Sequence, residues 1–164
     1  MSDWDDIVSD YDCPVCGLSS VPISGSGNWM ILGDAPDQTD ITRGLAWQGR
    51  DGGILRTELQ RLDVDMYSCK LGNLWKHTPN GNEECLQASV QHILENLKGV
   101  DAVLLCGKDV VEYITGYKVS LVSSLKVNSL YWSVPTWACY SPSMVFHSLG
   151  EFRLGLSRFV EANT

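Results

Sequence analysis

The chain has 164 residues, a formal net charge of −8 and 44% hydrophobic residues. That length can bury a core without disulfide staples, and no apolar run reaches the roughly 20 residues a membrane-spanning helix needs. The acidic balance argues against broad attraction to nucleic-acid phosphates and leaves a locally basic face as the way to bind them.

Residues 1–28 read as a polar, acidic arm with aspartates at 3, 5, 6, 10 and 12, ending in the loop Ser24-Gly25-Ser26-Gly27. The start lacks the basic and apolar regions of a secretory signal, so a cytoplasmic protein is expected. The arm carries Cys13-Pro14-Val15-Cys16, a spacing that lets two thiolates hold one metal or cluster iron; a redox pair is the competing use. With no repeat or low-complexity linker after the arm, residues 1–164 read as one domain.

A strand is expected at Trp29–Leu32, running directly into the loop Gly33-Asp34-Ala35-Pro36-Asp37-Gln38-Thr39-Asp40 and on to Trp47 and Gly49. Open α/β sheets bind ligands at the carboxyl ends of their strands. A loop with carboxylates and one large aromatic therefore suits a pocket for a flat ring. The alternative is a surface loop of turn formers.

Beyond it, apolar spacing predicts a helix over Gly53–Leu62, a strand near Met66–Leu71 or a little beyond, and a helix over Glu84–Leu97. A buried strand follows at Val100–Cys106, then a helix over Lys108–Ile114, a strand near Val134–Tyr140 and a last helix over Gly150–Ala162. Strands and helices alternating at these lengths imply a layered α/β domain with a largely parallel sheet. Arg43, Arg50, Arg56, Arg61, Lys70 and Lys76 concentrate in the middle of the chain. They could form a basic surface, or a mixed solvated one, since Asp51, Glu58, Asp63 and Asp65 fall among them.

Six cysteines in such a chain point to metal binding or simple burial. Cys106 and Cys139 sit in apolar runs and read as small buried strand residues. Completing a metal site with Cys13 and Cys16 needs two more soft ligands: Cys85, and either His77 or Cys69. Turn formers between His77 and Cys85 would let both side chains reach one ion.

Cys-x-x-Cys, the acidic glycine-bearing loop, an Asn-x-x-Lys strand end, a cysteine opening a helix and a late Pro-Ser turn occur in this order from Cys13 to Ala162. In that ordered set the chain resembles the family 4 uracil-DNA glycosylases. The resemblance implies a three-layer α/β sandwich with a mostly parallel four-stranded sheet, and hydrolysis of the N-glycosidic bond of uracil flipped out of DNA. It implies Trp47 as the stacking platform and Asn73 as the reader of the base edge, with Ala35 beside them. Asp34 or Asp40 would orient water, and Pro142 and Ser143 would contact DNA. It further implies that Cys13, Cys16, His77 and Cys85 hold a [4Fe–4S] cluster, or a structural zinc given the histidine.

Two departures stand out. Ser141 falls where the family has a histidine that stabilises the departing base, and Asp37 replaces a loop glycine. They open two alternatives: a weakened DNA-binding or polymerase-accessory module, and a glycosylase for another modified pyrimidine. The implied partners are uracil-containing DNA, single-stranded or duplex, and a replication or repair protein, with no membrane.

Overall fold

The computed structural model describes residues 12–118, 125–142 and 145–164. In chain order the elements are β1 (Trp29–Gly33), α1 (Gln38–Arg43), α2 (Arg50–Arg61), β2 (Lys70–Asn73), α3 (Glu83–Glu95), β3 (Ala102–Cys106), α4 (Lys108–Thr115), β4 (Leu125–Val127), β5 (Thr136–Cys139) and α5 (Val145–Ala162). The strands form one sheet in the order β2-β1-β3-β5-β4. All pairs are parallel except β4 with β5.

The sheet therefore has five strands where four are expected. The added edge strand, β4, is three residues long and carries too little alternation to be read as a strand. The strand expected at Met66–Leu71 or a little beyond falls at the later end of that range. The Asp65 carboxylate accepts the Tyr67 N–H at 3.0 Å and winds Met66–Ser68 into a single 3₁₀ turn, so pairing begins at Lys70. The short helix α1 forms inside the loop after β1 because Asp37 and Asp40 build a reciprocal capping box.

Strand alternation splits the core in two. Ile31, Leu104, Cys106 and Cys139 pack with Leu55 and Leu59 of α2 and Phe152, Leu156 and Phe159 of α5. Met30, Leu32, Val103 and Leu105 face Val90 and Ile93 of α3 and Val110, Val111 and Ile114 of α4. Each fully buried Leu, Ile or Phe contributes about 1.5–3 kcal/mol of apolar transfer. On the first face Glu58 of α2 is buried, and Arg153 of α5 grips it through Nε at 2.8 Å and a second nitrogen at 3.2 Å. This fork fixes the two helices against the sheet.

The chain leaves β1 for β2 on one side, while β3 lies on the other. The carboxyl ends of β1 and β3 thus diverge into a crevice, where such sheets place their ligands. The arm is held too. Ser24 and Leu71 exchange backbone hydrogen bonds at 3.0 and 2.8 Å, and the Val21 N–H donates to Lys76 O at 2.6 Å.

Candidate functional site

A cavity of about 170 Å³ opens at that crevice. Five segments meet around it: Gly33, Asp34, Ala35, Asp37 and Asp40 at and after the end of β1, Trp47, Gly49, Asp51 and Gly52 around the start of α2, Asn73 at the end of β2, Cys106 at the end of β3, and Ser141 after β5.

Trp47 is a non-glycine residue at φ 61°, in the left-handed region. Such strain persists only where surroundings impose it. Here the indole N–H donates to Gly72 O at 3.2 Å, and the ring edge lies against Gly33, where an added Cβ would sit 3.0 Å from the ring and 2.6 Å from Asn73 Oδ1. Glycine at 33 is therefore what lets the aromatic and the amide share the cavity floor. Asn73 is buried, and its side chain has no hydrogen-bond partner among the described residues. A buried amide facing a cavity without a partner offers one donor pair and one acceptor to an occupant.

Asp34 sits between two elements. Its Oδ1 accepts the Val110 N–H at 2.8 Å and so caps α4, whose N-cap residue, Gly107, has no side chain to do so. Gly107 has φ +136°, and a Cβ there would lie 2.5 Å from Asp34 Oδ1. Burial pushes the Asp34 pKa up to about 6; the Val110 N–H partly counteracts this, and Asp109 and Asp51 add to it. The carboxyl therefore exchanges its proton near neutral pH.

Asp40 differs. Its two oxygens accept the Asp37 N–H at 3.1 Å and the Gln48 N–H at 2.7 Å, so the carboxylate ties the loop together. Burial raises its pKa as well, against those hydrogen bonds. Ala35 lines the cavity and Ser141 borders it. Pro142 is buried and does not line the cavity, while Ser143 lies outside the described residues. Cys106 and Cys139 are buried as expected, Sγ to Sγ 3.4 Å in register across β3 and β5, and Cys106 reaches the cavity wall. Its place there is invisible to a reading that takes an apolar run as core.

A second cluster lies where the arm meets the loop before α3. Ligand atoms of Cys13, Cys16, His77 and Cys85 all fall within 4.8 Å of one another. Cys13 N–H to Leu18 O at 2.8 Å closes the turn that aims both arm thiols. His77 Nδ1 lies 2.8 Å from Thr78 O. A carbonyl can only accept, so Nδ1 carries the proton and Nε2, 3.5 Å from Cys16 Sγ, is left as the ligand atom. Burial opposes ionisation of the Cys13 thiol, but backbone N–H groups of Cys16 and Val15 outweigh it and bring its pKa to about 6. Cys69, the other candidate, is buried in the first core face, and burial pushes its thiol up to about 11. Among the described residues it stands outside the cluster.

Of the central basic stretch, Arg43, Arg50, Arg56 and Arg61 are exposed, whereas the two lysines are drawn inward. Lys76 is buried with its ammonium on Asn73 O, and burial lowers its pKa to about 7. Lys70 donates to Asn96 O at 2.7 Å, and Arg61 lies 3.4 Å from Glu58.

A family model described as the Uracil DNA glycosylase superfamily matches residues 23–162. The match begins after Cys13 and Cys16. No curated protein matches the chain.

Proposed function

The chain belongs to the uracil DNA glycosylase superfamily, and from that premise we propose that it excises a base, uracil in the first instance, from DNA by flipping it into the cavity at the ends of β1 and β3. The single observation that carries this is the meeting of Trp47, Asn73, Asp34 and Ser141 around one cavity from four separate segments. Trp47 stacks on the flipped ring, and the free Asn73 amide pairs with its edge. Asp34, with one oxygen anchored on Val110, orients the attacking water and takes up its proton. Ser141 contacts the departing base. Asp40, with one backbone N–H on each oxygen, shapes the loop that lines the cavity.

The four-residue cluster fits a metal, and its dimensions favour a single ion. Cys13 Sγ and Cys85 Sγ are 3.7 Å apart, and Cys16 Sγ and His77 Nε2 are 3.5 Å apart. A tetrahedron with metal–sulfur bonds of about 2.3 Å and a metal–nitrogen bond of about 2.0 Å has edges of roughly 3.5–3.8 Å. A [4Fe–4S] cluster seats its ligands on four different irons and needs them farther apart. Three thiolates and one imidazole are an ordinary structural zinc set, which would pin the arm beside α3.

The test is alkaline cleavage of a single-stranded oligonucleotide carrying one uracil, comparing the wild type with Asn73→Ala. Wild-type cleavage, reduced on the order of 10²-fold or more by the variant, is the expected result. Binding without base release would favour the second reading, a DNA-binding accessory module, which the serine at position 141 supports.

A further inference from the structure

The cavity has an unusual charge balance. Asp34, Asp37, Asp40 and Asp51 all line it, and among the described residues no lysine, arginine or histidine does. Uracil leaves its sugar as an anion, because the electron pair of the broken C1′–N bond stays on the ring. Four carboxylates oppose that charge, and Ser141, which borders the cavity after β5, carries no positive charge to offset it. The aspartates are built in, too. Asp37 caps α1 through the Asp40 N–H at 2.8 Å, and Asp51 is half-buried in the first turn of α2, where Arg50 lowers its pKa while burial, Asp37 and Asp40 raise it.

Resting on the proposed glycosylase reading, we propose that this cavity selects bases that already carry a positive charge on the ring, the N-alkylated bases, and excises them in preference to uracil. For such a base the bookkeeping of charge reverses. Water attacks C1′, the C1′–N bond breaks, and its electron pair neutralises the cationic ring, so the base departs uncharged. The proton of the attacking water goes to the Asp34 carboxylate and from there to solvent. No donor at position 141 is required. In the bound state the carboxylates attract the cation, and the Trp47 face adds a cation–π contact that a neutral ring receives only weakly. Asn73, buried at the cavity, can turn its oxygen toward the donors that a cationic ring presents.

The test uses single-stranded oligonucleotides with one 3-methylcytosine, 3-methyluracil or uracil. The first two have nearly the same shape and differ in charge. The expected result is release of 3-methylcytosine about tenfold or more faster than either neutral base. Asp51→Asn and Asp37→Asn each narrow that ratio, and Ser141→His narrows it from the other side by speeding uracil. Excision of uracil with equal or slower release of 3-methylcytosine overturns the inference and leaves the glycosylase reading standing. Release of no base from any of the three overturns both. Circular dichroism of each variant separates loss of preference from loss of fold.

Discussion

The two clusters at the same edge of the sheet are assembled by opposite means. At the candidate metal cluster, four soft ligands come from a turn, a loop and the first turn of α3, and the arm that brings two of them is otherwise held by backbone hydrogen bonds to Leu71 and Lys76 and by Val21 and Ile23 buried in the two core faces. At the cavity, every contributing segment is anchored by the sheet itself, and the strain at Trp47 is imposed by packing around it. On the proposed reading, the first is a site whose metal would supply part of the folding energy; the second is a site the fold supplies ready-made. Perturbing each should therefore report on different quantities: stability at the cluster, rate at the cavity.

The largest expected effect follows from removing the metal. Cys85→Ser, or prolonged chelation of the wild type, should abolish stoichiometric metal and cost about 4 kcal/mol or more. In thermal unfolding that is a fall in Tm of roughly 10 °C. Elemental analysis and differential scanning calorimetry on the same preparation check it, and iron with a cluster's visible absorbance in place of zinc would refute the single-ion reading. An unchanged Tm after complete metal loss would break the comparison outright.

At the cavity the corresponding change is Asp34→Asn. Excision should fall by about 10²–10⁴, and yet the fold should not weaken. The Asp34 pKa is about 6 in the folded chain against an ordinary 3.8. Protonation is thus favoured by folding: the stabilising contribution is fully present below about pH 4 and is lost as pH rises through about 6. Asparagine cannot ionise and still offers Oδ1 to the Val110 N–H. The variant's Tm should therefore match the wild type near pH 4 and exceed it increasingly toward pH 7. The wild-type rate should rise through the same interval, since only the carboxylate takes up the proton of water. Equal Tm differences at all pH values would mean that Asp34 is not desolvated.

These two regions were also unequally legible. The strand leading to Gly33, the helices α2 to α4 and the buried β3 follow from apolar periodicity, and the superfamily match confirms the fold class that they imply. Ligand spacing brought out the metal cluster because soft ligands have few other reasons to occur at such intervals. What the sequence hides is cooperative. β4 pairs because β5 presents an edge to it, and the turn at Met66 depends on one carboxylate. The settings of Asp34 and Asp40 look identical in sequence. They separate only when Gln48 and Asp37 claim both oxygens of one and Val110 claims a single oxygen of the other.

The smallest effect is the most discriminating control for this contrast. Cys69 and Cys85 are both buried and both free, and on spacing Cys69 is the alternative to His77 as the partner of Cys85. Cys69 lies among Ile31, Leu71 and Met66 in the core, with burial holding its thiol protonated, so it acts as a small apolar side chain. Cys69→Ala should then cost only about 1 kcal/mol, leaving metal content and excision rate at wild-type values. The same truncation at Cys85 deletes a ligand. If both truncations shed metal equally, the cluster would extend to Cys69. If neither does, the cysteines are core residues whose proximity has no bearing on metal.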